Sequence, residues 1–263
     1  MGQIRLARPL NGLIAALVVI VSTKITYGDF FKVFYLVLGA FFISSFINIT
    51  NDISDIEVDR VNHPNKPLIT GEATPLDAFM LSVVCLILSL YFSAKHSYWA
   101  LMIGSLAMFI GILYNLELKS VPLLGNLSVS FVVFLAFLYG ANPENILRVI
   151  PAAFLGAYLQ LLREIVKSLE DKKGDEIQRK TIAHVLAESK IQHLIFVGIM
   201  VLTVLDILPV FTGYSLYYGI GVFLLVNGPL WTFGWLVYWR KYSALRKVLK
   251  LTTVLAIIPL WVA

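Results

Sequence analysis

Residues 34–68 read FYLVLGAFFISSFINITNDISDIEVDRVNHPNKPL. The first thirteen of these carry no charge, and the next fourteen carry Asp52, Asp55, Glu57, Asp59 and Arg60. An uninterrupted apolar run predicts a helix that crosses a hydrocarbon layer, since about 20 helical residues span a core of about 30 Å. The acids then fall where such a helix meets water. A membrane fold with its chemistry at one edge is the reading this stretch imposes.

The rest of the chain agrees. Of 263 residues, 59% are hydrophobic and 14% charged, far below the roughly 25% charged of soluble domains, and the mean hydropathy is +0.82. Apolar runs near 10–28, 30–50, 76–94, 97–116, 121–141, 146–163, 191–208, 213–238 and 246–263 predict nine spans. The first follows Arg5 and Arg8 but lacks a small-residue cleavage site leading into a soluble domain, so it reads as a retained span rather than a signal peptide. The single Cys85 excludes an intramolecular disulfide.

Basic residues of membrane proteins collect on the cytoplasmic side. With the N-terminus inside, nearly all Lys and Arg fall on inner segments, and only Lys24, Lys32, Lys95 and Arg148 fall outside. A multi-pass cell-membrane protein with its N-terminus and its site on the cytoplasmic side is therefore expected. The net charge of +5 belongs to that face and suits anionic headgroups or an anionic substrate rather than nucleic acid. Most of the 16 acids lie in or beside two inner connections, about 52–75 and 164–190. Four spans separate them, so a single domain over 1–263 built from two four-helix halves, about 1–120 and 121–238, plus a ninth helix, is the expected organisation.

If the second span continues as helix to about Arg60, then Asn51, Asp52, Asp55 and Asp59 all fall within about 60° of Asn48, while Glu57 faces away. Carboxylates on successive turns can share hydrated divalent cations, and magnesium suits all-oxygen donors and retained water. Without a cation the three carboxylates would repel one another at a helix end already partly negative. Arg60 and Lys66, which follow in the connection, suit the remaining oxygens of a diphosphate. Pro64 and Pro67 end the extension, and Thr74-Pro75-Leu76-Asp77 starts the next helix.

The second connection, QLLREIVKSLEDKKGDEIQRKT at 160–181, repeats the pattern. Gln160, Glu164, Lys167 and Asp175 fall within about 40° of Asp171 on a helix, with Arg163, Arg179 and Lys180 nearby. Its mixed signs also fit a salt-bridged surface helix. Gly174, unfavourable inside a helix by about 1 kcal/mol, marks a turn. His63, His96, His184 and His193 show no paired metal-ligand spacing and read as loop or interface residues.

These motifs resemble those of the UbiA superfamily of intramembrane prenyltransferases over essentially the whole chain. Asn51-Asp52-x-x-Asp55-x-x-x-Asp59 is similar to its first aspartate-rich motif and Asp171-x-x-x-Asp175 to its second. Arg8-Pro9-x-Asn11, Tyr114 followed by Leu118-Lys119, and Gly125-Asn126 are further matches. Within the superfamily, DIEVDRVNHPNKPLITGE and REIVKSLEDKKGD are most similar to the archaeal digeranylgeranylglyceryl phosphate synthase branch. Ser168 stands where relatives often carry Asp, so it is not counted as a ligand.

The resemblance implies an all-α fold of nine helices around a central cavity, with a cytoplasmic cap and a lateral opening to lipid. It implies Mg2+ as cofactor, held by Asn51, Asp55, Asp59, Asp171 and Asp175, with Arg8 and Lys119 on phosphate. Arg60, Lys66, Arg163, Lys167, Arg179 and Lys180 are further phosphate candidates, and Asp52 orients a ligand or takes the acceptor's proton. Asn11, Asn48, Tyr114, Asn126 and Tyr139 are substrate-binding candidates; an aromatic face such as Tyr114 or Tyr139 can stabilise an allylic cation. The substrates implied are geranylgeranyl diphosphate and geranylgeranylglyceryl phosphate, with membrane lipid as the surrounding partner and no nucleic acid. An aromatic or quinone-precursor acceptor is the alternative within the family. A cation transporter is the alternative outside it, although its acids belong near the midplane and these cluster at one edge.

Overall fold

The computed structural model describes residues 2–27, 33–177 and 179–263. The end of the first expected span at 28, the start of the second at 30–32 and Lys32 lie outside the described residues. Among those described, every regular element is a helix. The chain enters through α1 (Gly2–Ala7), breaks at Arg8 and continues as α2 (Pro9–Tyr27). It then runs through α3 (Val33–Ser54), the cap helices α4 (Ile56–Asn62) and α5 (Pro67–Thr70), and the pair α6 (Pro75–His96) and α7 (Tyr98–Leu116). The second half comprises α8 (Leu124–Tyr139), α9 (Ile150–Glu170), the short cap turns α10 (Lys172–Asp175) and α11 (Ile182–Val185), and α12 (Glu188–Leu205). Helix α13 (Leu216–Val222) passes through a π turn at Phe223–Asn227 into α14 (Gly228–Phe233), and α15 (Tyr242–Leu255) with α16 (Ile257–Leu260) closes the chain.

Six helical segments among the described residues are long and apolar enough to cross a membrane, and α8 is a shorter apolar one. Length and apolarity alone therefore reach six rather than the nine expected. The remainder has a physical reason. Helix α9 is long enough but carries Gln160, Arg163, Glu164 and Lys167 toward the interior, and α15, which carries Arg246 and Lys250 there, is in addition only 14 residues long.

Polarity is inverted relative to a soluble protein. Phe34, Phe79, Ile87, Phe109, Val204 and Leu224 are exposed, as a lipid-facing exterior requires, while charged groups are inside. Two apolar cores flank the interior. One is centred on Leu36, Ile43, Phe46, Ile49 and Met108, the other on Leu162, Ile165, Ile195, Ile199 and Leu249.

At the site face the expected start of α6 is present: Thr74 and Asp77 form a reciprocal capping box, at 3.1 and 2.9 Å. The second span does not continue unbroken to Arg60. It ends at Ser54, Asp55 departs from helical geometry (φ −104°, ψ 13°), and the chain resumes as α4. The two acidic connections then pack on each other. Asn62 donates to the Asp171 carbonyl at 2.9 Å and accepts from the Gly174 amide at 3.1 Å. Gly174 is required by this approach, because a Cβ there would stand 2.5 Å from the Asn62 carboxamide. Gly174→Ala is expected to cost about 1–3 kcal/mol through overpacking and to lower the melting midpoint in detergent by several degrees; an unchanged midpoint would remove Asn62–Gly174 as the clamp.

Candidate active site

A cavity of about 740 Å³ runs from this cap into the bundle. Its mouth is lined by Arg8, Asn48, Asn51, Asp52, Asp55, Asp59, Asp171 and Arg179, and its inner wall by Ala40, Ile43, Gly104, Ala107, Leu135 and Tyr139. From Asn51 to Ala40 along α3 is about 16 Å at 1.5 Å per residue. One end is charged and the other greasy, as an amphiphile with a charged head needs.

The five aspartates are almost fully withdrawn from water: Asp52 is 2% exposed, Asp55 5%, Asp59 3%, Asp171 5% and Asp175 3%. Buried charge persists only when compensated; two alternating networks compensate four of the five, and Asp171 has His63 at 3.5 Å. In the first, Asp52 Oδ1 accepts from Arg8 and from Lys66 Nζ (2.8 Å), which also donates to Asp59 (2.5 Å). In the second, Asp55 Oδ1 accepts from Lys119 Nζ at 2.8 Å and from Arg179 at 3.1 Å, and Arg179 also donates to Asp175 at 2.8 Å. Arg179 thus joins the first acidic segment to the second directly. The repulsion that the stripe alone would suffer is relieved by basic side chains from other elements.

The carboxylates respond unequally. Burial alone would raise the Asp55 carboxyl, but the Arg179 and Lys119 charges outweigh it and hold the group below the usual range. For Asp171 burial is likewise outweighed, by His63 and Lys167, and its pKa is lowered. For Asp59 and Asp175 burial prevails over Lys66 and Arg179 respectively, and both are raised. Paired carboxylates with opposite tendencies are a feature of catalytic sites.

The other expected residues divide clearly. Asn51 donates to Asp55 and to Asn115, both at 3.1 Å. Arg8, in the left-handed region at φ 46°, is an uncommon conformation for this residue type; it turns the guanidinium onto Asp52 and Asn48. Asn11 donates to Asn48 at 3.4 Å. Tyr114 and Lys167 line the cavity mouth, and Asn126 lies in an adjoining cleft with Lys119 and Asp175. Tyr139 is at the inner end, where its hydroxyl meets Ser93 Oγ at 2.8 Å. Arg163 lines the cavity and donates to Gln160 at 3.0 Å. Arg60 is not brought in: it is exposed and pairs with Glu57 at 3.5 Å. Lys180 is exposed as well and lines neither the cavity nor the cleft.

Several residues were missed by sequence reasoning. His63, read as a loop residue, lies 3.5 Å from Asp171. Asn62, Asn115, Arg246 and Lys250 had no spacing signal tying them to the acids; only the packing of distant elements does.

Among the described residues no three His, Cys, Asp or Glu side chains converge closely enough to hold a metal as they stand, because each acid is engaged by a base. The donor chemistry nevertheless fits a hard cation: the side chains at the mouth are carboxylates and carboxamides, with no thiolate, and magnesium favours oxygen.

Comparison with known proteins is decisive for kinship. The sequence pattern of the UbiA prenyltransferase family matches residues 12–255. The digeranylgeranylglyceryl phosphate synthase of Methanopyrus kandleri is 35% identical over 216 residues, covering 80% of this chain and 79% of that protein. The enzyme of the same name from Saccharolobus solfataricus is 31% identical over 175 residues, 65% of this chain and 62% of that one. A solved UbiA homologue of Archaeoglobus fulgidus, bound to GPP and Mg2+, superposes with a TM-score of 0.73 at 18% identity, covering 99% of each chain. A fold matched over nearly its full length and a family pattern matched from within α2 to the end of α15 lead to one conclusion: this chain is a multi-pass membrane enzyme belonging to the UbiA prenyltransferase family.

Proposed function

We propose that the enzyme transfers a geranylgeranyl group from geranylgeranyl diphosphate to the free hydroxyl of geranylgeranylglyceryl phosphate. The product carries the second ether bond of archaeal membrane lipids, and the site faces the cytoplasm at the cell membrane. The observation that carries the reading is the buried junction in which Arg179 ties Asp55, at the mouth of the large cavity, to Asp175 in the adjoining cleft. The names of the relatives that match this chain support the choice of acceptor.

Asn51, Asp55, Asp59, Asp171 and Asp175 are the groups that would hold Mg2+. The chemistry it supplies when bound is neutralisation of charge on the departing diphosphate. Lys119 and Arg179, both paired with Asp55, bind diphosphate oxygens by charge-assisted hydrogen bonds. Lys66 and Arg8 fix Asp52, so that this carboxylate positions its neighbours rather than acting as a free base. The apolar walls exclude water from the allylic carbon; as its bond to the diphosphate oxygen breaks, the acceptor's hydroxyl oxygen bonds to that carbon, and the hydroxyl proton leaves with the released diphosphate.

The direct test is incubation of the purified chain with Mg2+, geranylgeranyl diphosphate and either the glycerol phosphate acceptor or hydroxybenzoate. Diether product with release of diphosphate is expected only with the former. Product with hydroxybenzoate alone would transfer the protein to the aromatic-acceptor branch. Chain length has a separate test. Ala107 lines the cavity on α7, and Ala107→Phe is expected to shift the kcat/KM ratio toward a fifteen-carbon donor by about tenfold or more; an unchanged ratio would place the prenyl chain elsewhere.

A further inference from the structure

The cations of the cavity and its adjoining cleft differ in their partners. Arg8, Lys66, Lys119 and Arg179 each contact an aspartate, and Lys167 sits in the field of Glu164 and Asp171. Arg163 and Lys250 also line the cavity, yet neither has a carboxylate within ion-pair distance among the described residues. Among the described residues the Arg163 Nε is buried without an acceptor, and Lys250 Nζ is hydrogen-bonded to the Asn11 side-chain oxygen at 3.3 Å. Arg246, one turn before Lys250 on α15, also lines the cavity, its guanidinium steadied by Glu170 at 2.8 Å. Lys250 feels the charges of Arg163, Arg8 and Arg246 together.

Several cations gathered beside apolar walls are costly unless an anion joins them. A phosphate monoester fits them well, since two guanidinium forks and one ammonium match its oxygens. The diphosphate is assigned to the aspartates, Lys119 and Arg179, and among the described residues none of those aspartates lies within ion-pair distance of Arg163, Arg246 or Lys250. Lys119 does not line the large cavity, and Arg246 and Lys250 do not line the cleft that contains Lys119. Ile14, Val18 and Thr253 border the same wall, giving an alkyl chain somewhere to lie.

We propose that Arg163, Arg246 and Lys250 form a second anion site, distinct from the diphosphate site, that takes the phosphate monoester of the acceptor lipid. The assignment rests on the acceptor proposed above. Because it concerns binding, it can fail or survive independently of prenyl transfer.

The test is calorimetric binding of geranylgeranylglyceryl phosphate and of its dephosphorylated counterpart, geranylgeranylglycerol, to the purified full chain in detergent. The wild type is expected to bind the phosphate form about tenfold or more tightly, in line with charge-assisted contacts. Arg163→Gln and Lys250→Met are each expected to erase most of that preference while binding the alcohol as the wild type does. Retained alcohol binding shows that the variants are folded. Equal affinity for the two lipids in the wild type, or a preference that survives in both variants, would overturn the site. Equimolar dioleoyl phosphatidic acid is expected not to compete; full competition would assign the site to bulk lipid headgroups and overturn the acceptor assignment. Intact discrimination without diether formation would instead sink the proposed reaction and leave the anion site standing.

Discussion

Asp55→Asn is expected to reduce prenyl transfer by about 100-fold to 1,000-fold, the range seen when a preorganised charge-stabilising group is lost, with the helical fold retained. Asp55 occupies the break between α3 and α4 and receives Asn51, Lys119 and Arg179 together. It is where the two acidic segments become one site. Both Asn and Ala remove the anion shared by Lys119 and Arg179, but the amide keeps the side chain's volume and a carbonyl oxygen to accept from them. Asp55→Ala would in addition leave a void and buried donors without an acceptor, so its loss of activity would mix chemistry with further destabilisation. The measurement is turnover alongside a circular-dichroism melt. Near-normal turnover with a normal melt would take Asp55 out of the site.

Chelation of divalent cations is expected to abolish turnover while leaving the melting curve little changed, and added Mg2+ restores activity. Proteins whose fold depends on a metal unfold when it is removed. Here the buried aspartates are compensated by protein cations: Lys66 bridges Asp52 and Asp59, and Arg179 bridges Asp55 and Asp175. The fold is therefore expected to hold without the ion, so that loss of turnover in the chelator would assign the metal to the reaction rather than to the fold. Full activity in the chelator would overturn the metal assignment. Collapse of the fold would show that the ion-pair networks do not suffice to hold the cap.

The sequence was informative wherever local pattern carries the physics. Apolar runs set by the thickness of a membrane predict the helices of the bundle, and the Thr74–Asp77 cap follows from residue types alone. The i, i+3 and i+4 spacing of Asn51, Asp55 and Asp59 predicts one polar face, and the aspartates of that face do line the cavity mouth. Arg60 shows the limit of such reasoning. It is adjacent to Asp59 in sequence, yet a helix turns neighbours about 100° apart, and it faces solvent beside Glu57.

By itself the sequence determined an all-helical membrane protein with acids concentrated on one face in two segments, because hydrophobicity and helical period act within a few turns. Only the tertiary structure decided how those segments meet. Arg179 reaches Asp55, 124 positions earlier in the chain; Asn62 clasps the Asp171–Gly174 turn; and the last long helix brings Arg246 and Lys250 to the cavity. Such contacts are settled by the packing of whole helices and by the need to compensate each buried charge, and neither requirement leaves a spacing in the chain.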